Sequence, residues 1–212
     1  MSGSTEGYSN EPERGLPGHL PAGEHIVWQG SPEWKRLAMT AFHVRGVGIY
    51  FGLILVAAAL SGASPTGLVA TVAAGAIAVG LLCFIAWLSA RSTVYTLTNR
   101  RVVFRIGIAL PTCINVPLKI IENASMKLHA DGTADLPLQI NGSGKMGWMM
   151  LWPHARPWKL AVPEPMLRAV PEGARVAATL SRTLAEAVPE GRRLVVAGDS
   201  AAPGRIGEVQ AA

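Results

Sequence analysis

Catalysis or metal binding needs groups that ionise, ligate or attack, and in this chain they are sparse. There are five histidines (His19, His25, His43, His129 and His154) and two cysteines (Cys83 and Cys113). No two histidines stand at metal-ligand spacing and no cysteine accompanies them, so the pattern holds no zinc site. The motifs GxSxG, HExxH, GxGxxG and the P-loop are absent. Asp131 and Asp135 flank a loop in which solvated turn carboxylates are ordinary. The residues argue for no enzyme, no metal and no resident cofactor.

Two places could still do something specific. His43 stands two residues before Arg45, at the head of a long uncharged stretch. A neutral imidazole there could ligate the metal of a tetrapyrrole such as bacteriochlorophyll. The plainer and favoured reading is an interfacial side chain that reaches headgroups or a backbone carbonyl. The second place is Met146 to Trp152, dense in Met and Trp, with Trp158 just after. It reads either as a docking surface or as strand packing, in which Trp148, Met150 and Trp152 share one face and Met149 and Leu151 the other.

The element that must position all of this is the uncharged stretch itself. Between Gly46 and Ala90 there is no Asp, Glu, Lys, Arg or His. Two apolar arms, Val44 to Gly62 and Gly67 to Ala90, meet at Ser64-Pro65-Thr66. A bilayer core of about 30 Å takes about 20 apolar helical residues, so each arm reads as a span and the pair as a transmembrane hairpin. Gly48 and Gly52 form a small-xxx-small pair, and Ala70, Ala74, Gly75 and Ala78 offer small residues on the second arm; such faces let helices approach closely. Lys35, Arg36 and Arg45 precede the hairpin, Arg91, Arg100, Arg101 and Arg105 follow it, and its loop is uncharged. The positive-inside rule then places both termini in the cytoplasm. The opening residues show no basic-then-apolar leader, so the first span is expected to act as its own insertion signal. Cys83 and Cys113 fall at different depths and are not expected to pair.

Half the residues are hydrophobic, 16% are charged and the net charge is +5. The cations form no polybasic block, which argues against nucleic acid as partner. Residues 1–20, rich in Gly, Ser, Pro and Glu, read as a disordered tail, and 189–212 as another, apart from a strand-like run at Leu194 to Ala197. Within 21–43, Ile26 to Trp28 reads as a short strand. Ser31-Pro32-Glu33 reads as a capped start for a helix whose apolar face is Trp34, Leu37, Ala38, Ala41 and Phe42. Placed before a span, that helix is expected to lie along the headgroups. From 91 to 188 the pattern turns to short strands: Thr93–Leu97, Arg101–Ile106, Thr112–Val116, Lys119–Met126, Lys127–His129, Leu136–Ile140, Trp148–Trp152 and Trp158–Val162. A Pro-broken connector over 163–171 then leads to an amphipathic helix over 172–187, on which Val176, Leu180, Leu184 and Val188 recur. The expected fold is a β-sandwich of about seven strands capped by that helix.

The run Pro21-Ala-Gly-Glu24-His-Ile-Val-Trp28-Gln-Gly30-Ser-Pro32-Glu-Trp34, with Ala41-Phe42-His43-Val-Arg45 after it, resembles the photosynthetic complex assembly proteins of purple phototrophic bacteria, the PuhB family. Thr93-Val-Tyr95-Thr-Leu-Thr98-Asn99-Arg100-Arg101 resembles the first hairpin of bacterial pleckstrin-homology-like (PH-like) domains. The resemblance implies a non-enzymatic role in assembling the reaction centre and its core light-harvesting antenna in the intracytoplasmic membrane, with a PH-like sandwich and dimerisation. Reaction-centre and antenna subunits and the lipid bilayer are the implied partners. The alternative is a membrane-tethered PH-like module that binds lipid or peptide without a photosynthetic role. The candidate contact residues are Trp28, Trp34, Phe42, His43, Arg45, Gly48, Gly52, Trp148 and Trp152. Pigment ligation by His43 predicts that protein purified in mild detergent retains bacteriochlorophyll and loses it in His43→Ala; colourless wild-type protein removes that role.

Overall fold

Helix and strand divide where the hydrophobic period changes. The computed structural model describes residues 15–141, 147–157, 163–187 and 194–196. Strand β1 (Ile26–Gly30) leads to helices α1 (Trp34–Thr40), α2 (Val44–Leu60) and α3 (Pro65–Ser92). Then come β2 (Val94–Thr98), β3 (Arg101–Ile106), β4 (Thr112–Pro117), a short 3-10 turn at Leu118–Ile120, β5 (Ile121–Leu128) and β6 (Ala134–Ile140). Helix α4 (Trp148–Leu151), β7 (Met166–Val170), α5 (Gly173–Ala187) and β8 (Leu194–Val196) complete the chain.

The strands form two four-stranded sheets, in the orders β1-β2-β3-β4 and β7-β6-β5-β8. Neighbours are antiparallel except β8, which runs parallel to β5. Tyr95, Phe104, Ile114 and Val116 from one sheet meet Ile121, Leu136 and Leu138 from the other, and α5 adds Val176, Leu180 and Leu184. This is the expected sandwich with its helix. Its boundaries differ from the expected ones. Strand β1 pairs with β2, Gln29 opposite Thr96, so the sandwich starts before the helical hairpin and the hairpin is inserted into it. The tail assigned to residues 1–20 is shorter than expected: Leu16 is fully buried, and a side chain at Gly15 would collide with Val94.

The Ser-Pro dipeptide occurs before both α1 and α3 but caps only one of them. Ser64 accepts from the Gly67 amide at 3.2 Å with Pro65 in the first turn of α3. Before α1 the cap is Glu33, without a side-chain bond. The Glu33 amide donates to the Ala169 carbonyl at 2.7 Å, which holds this stretch extended and delays the helix. The apolar face of α1, expected to lie along the headgroups, packs against protein instead. Leu37 and Ala38 are buried with Phe42 and Val44 against Ala86 and Ala90 of α3 and Ala169 of β7. The apolar face of α1 is spent inside the protein.

Two further expectations fail for local reasons. The strand drawn over Trp148–Trp152 is a single helical turn, because the Met150 and His154 amides find turn carbonyls at Gly147 and Leu151. Leu151 is the buried residue there, while Met149 and Met150 are exposed. The connector drawn over 163–171 contains β7, a strand buried on both faces, which gives no alternation to detect. The strand drawn over Trp158–Val162 lies outside the described residues.

Helices α2 and α3 pack side by side, joined at Gly62-Ala63-Ser64. α3, with 28 residues, is long and apolar enough to cross a bilayer; α2 has 17, about 26 Å, and meets α1 at a 56° bend. By length and composition the described residues thus hold one span, or two if the bent α1–α2 pair forms one, where two were expected. The small-residue seam also moves. A side chain at Gly75 would press on Phe51, whereas one at Gly48 or Gly52 would meet nothing within 4 Å. Gly75→Leu is therefore expected to wedge the helices apart and destabilise the detergent-solubilised protein by about 1–3 kcal/mol, while Gly48→Leu leaves its melting temperature unchanged.

Candidate functional site

Where the helices enter the sandwich, one dipeptide joins five parts of the chain. Arg168 is 7% exposed, and its guanidinium donates from Nη1 to the Pro153 carbonyl at 2.8 Å and from Nη2 to the Thr40 carbonyl at 3.2 Å. Its amide donates to the Tyr95 hydroxyl at 3.2 Å. The next residue, Ala169, holds a left-handed φ of 51°. Its amide donates to Asp135 Oδ1 at 2.8 Å, and its carbonyl takes the Glu33 amide. Asp135 Oδ2 is 3.0 Å from His129 Nε2. The end of α1, the root of β2 and the loop after α4 are thereby fixed to β6 and β7.

His154 lies fully buried in this joint, 2.6 Å from the Tyr95 hydroxyl through Nδ1 and 3.1 Å from the Thr93 hydroxyl through Nε2. The Tyr95 oxygen already accepts from the Arg168 amide, so its own proton goes to Nδ1. Nε2 then carries the ring proton and donates to Thr93. Both ring nitrogens are satisfied with the imidazole neutral. Burial, and then the Arg168 charge, push its pKa down from 6.5 to about 3. Burial raises the Tyr95 pKa and lowers that of Arg168.

Beside the joint opens a cleft of about 420 Å³ between the end of α1 and the β5–β7 sheet. Lys127, His129, Arg156 and Arg168 line it, with Asp135 as their carboxylate neighbour. Arg156 is tied to Glu164 at 2.8 Å. Arg168 Nε has no hydrogen-bond partner among the described residues. The lining offers N–H donors and positive charge, suited to a hydrogen-bond acceptor or an anion. Nearby, Asp131 reaches α1 by an ion pair with Arg36 at 2.8 Å, which holds its carboxyl well below the usual range. Asp131 is the exposed turn carboxylate expected, accepting also from the Thr133 amide and hydroxyl, whereas Asp135, expected to be solvated as well, is buried and pins β6 to the Ala169 amide.

The residues singled out in the sequence separate into three groups. Trp28 packs against the sandwich core and Trp34 against the α1–α3 cluster, so both are structural. Phe42 is buried and meets Trp152 edge to face at 5.3 Å, which brings two distant candidates together at the root of α2. His43, Arg45, Gly48 and Gly52 are exposed along α2; His43 is its N-cap residue, in a left-handed conformation. The side chain of Trp148 lies outside the described residues. The two resembling motifs meet each other: Glu24 accepts from the Thr98 hydroxyl and from Arg101 Nε, each at 2.8 Å, and Asn99 bonds Gly23 and His25. Tyr95, Asp135, His154 and Arg168 went unseen as a set. Their separations of up to 73 residues leave no sequence spacing to find.

The family model described as the bacterial PH domain matches residues 49–184, from within α2 to the last turns of α5. The chain belongs to the bacterial PH domain family. It is 36% identical over 190 residues to an uncharacterised 23.7 kDa protein in the puhA 5' region of Rhodobacter capsulatus, covering 84% of this chain and 87% of that one. Two solved structures are also similar to parts of it. A DUF1696 family protein with a pleckstrin-homology domain from Shewanella loihica PV-4 is 18% identical, with a TM-score of 0.29 over 44% of this chain and 68% of that one. The hSac2 domain of human phosphoinositide phosphatase Sac2 is 9% identical, with a TM-score of 0.31 over 55% and 70%. Scores this low carry no structural argument.

The neutral His154 makes the joint acid-sensitive. An unfolded chain takes up this proton near pH 6.5, whereas the folded one resists to about 3. The contribution is therefore complete above pH 6.5 and lost as pH falls, with a slope approaching about 1.4 kcal/mol per pH unit. His154→Gln, which can still accept from Tyr95 and donate to Thr93, is expected to flatten that decline above the carboxylate range in urea titrations at stepped pH.

Proposed function

We propose that this protein is a non-enzymatic, membrane-anchored assembly factor for the photosynthetic reaction centre and its core light-harvesting complex. The observation that carries the anchor is the bare apolar surface of α2 and α3. Leu53, Val56, Leu60, Val69, Ile77 and Phe84 are all more than half exposed, and only 6% of the apolar window of α3 is buried. A soluble core helix would be covered; this pair fits a lipid environment. Both termini then face the cytoplasm, as the cations at the two roots require.

The photosynthetic role is supported by the relative's place in a photosynthesis gene region. In this chain the two resembling motifs close one turn through Glu24 and Thr98, so they serve as framework rather than as a contact surface. In this reading the exposed Gly48/Gly52 face of α2 is open to a client helix. Reaction-centre or antenna subunits are held laterally by the hairpin and touched by the sandwich at their ends, with a second copy of the chain as a further partner. The cationic cleft favours one other reading, a membrane-tethered PH-like module that binds an anionic lipid or peptide outside photosynthesis.

Deletion separates the two. Loss of the gene is expected to lower reaction-centre and core-antenna absorbance in membranes, with restoration by wild-type protein and weaker restoration by Gly48→Leu/Gly52→Leu. Normal core complexes in the deletion strain would overturn the assembly role and favour the binding module.

A further inference from the structure

Most of the strongly exposed apolar side chains of the sandwich collect at the end where the helices are rooted. α3 ends at Ser92 and β2 begins at Val94, so the Val94 edge of that sheet is the helix end. Val94 pairs with Arg105 and Ile106 with Thr112, which makes residues 107–111 a loop that projects past that edge. Gly107 has a φ of 112°, and any side chain on it would strike the Leu110 carbonyl. The loop is thus a tight turn that presents Ile108 and Leu110 outward, Leu110 at 84% exposure. On the other root, Phe42 stands two residues before α2 and its ring meets Trp152. The turn carrying Met149, 83% exposed, together with Met150 and Trp152, therefore flanks the start of α2.

The opposite end of the same sheet differs. Its β2–β3 turn is closed by Glu24, Thr98, Asn99 and Arg101, all polar. The exposed apolar residues near it, Ile26 and Val27, are each little more than a third exposed. At the helix end, by contrast, Arg45 is exposed and Arg91 sits over the Trp87 ring at 5.5 Å. Tryptophan beside cations is the composition of a bilayer interface, where anionic headgroups meet acyl chains.

We propose that the 107–111 and 149–152 loops insert into the cytoplasmic-side interface of the bilayer, on either side of the helical pair, and hold the sandwich against the membrane. The occupant of this surface is lipid. The loops continue the apolar surface of α2 and α3, and cations border them where a headgroup would stand. The inference rests on the membrane reading above.

The test uses the full chain with Cys83→Ala and Cys113→Ser, in nanodiscs of phosphatidylcholine and phosphatidylglycerol. Spin labels go singly on Leu110→Cys, Met150→Cys, Leu53→Cys and Arg182→Cys. Collision with oxygen relative to a water-soluble nickel chelate reports depth. The ratio is expected to be several-fold higher at 110 and 150 than at 182, and highest at 53. A lipid-facing 53 with 110 and 150 equal to 182 overturns this inference and leaves the anchor intact. A water-facing 53 overturns the anchor itself. Shielding of 110 and 150 from both reagents means that protein covers them, which also overturns the inference.

Discussion

A buried arginine with nowhere polar to go except backbone carbonyls holds this molecule together. Taking a guanidinium out of water costs several kcal/mol unless its donors are met, and Arg168 places Nη1 on the Pro153 carbonyl and Nη2 on the Thr40 carbonyl, with Nε left facing the cleft without a partner among the described residues. The end of α1 and the loop after α4 are thereby committed to one position relative to β7. Ala169 adds Glu33 and Asp135 through its backbone, at the cost of a left-handed φ. Removing any one partner strands a buried polar group, so the helices and the sandwich are coupled as one piece. His154 and Tyr95 complete the arrangement, and they do so with a neutral ring.

Much of the fold could be read in the residues because its signals were local. The charge-free run from Gly46 to Ala90, the Thr98-Asn99-Arg100 turn and the four-residue repeat of Val176, Leu180 and Leu184 each announce an element within a few turns of chain. One failure came where a distant partner overrode a local preference, and two had local causes. Ser31-Pro32 has the chemistry of a helix start, yet the Ala169 carbonyl takes the Glu33 amide and keeps the chain extended. The Met- and Trp-rich run from 146 to 152 alternates like a strand, yet turn carbonyls take its amides. Strand β7 is buried on both faces and bounded by prolines, so it carried no period to detect.

The candidate site was legible only at its rim. Phe42 and Trp152 were each noticeable as aromatics beside polar or methionine-rich neighbours, and the structure places them in contact. The cleft and its joint draw on β5, β6, β7, the α4 loop and the end of α1. Such a set is assembled by topology alone. Conversely, Glu24, in the more specific of the two resembling motifs, serves with Thr98 and Arg101 to close a turn on a short strand. A motif can mark a lineage through architecture without marking where the protein acts.

The insertion of the helices between β1 and β2 has a consequence of parity. These strands are hydrogen-bonded neighbours, Gln29 opposite Thr96 and Gly30 opposite Tyr95, although 63 residues, from 31 to 93, lie between them in sequence. A chain that crossed a bilayer once between them would leave the two strands on opposite sides, unable to pair. Were α3 to cross a bilayer, α2 would have to carry the chain across before it, even though its own length is short for the task. The edge of the sheet thus constrains the number of crossings: the pairing of β1 with β2 admits an even number and excludes a single one.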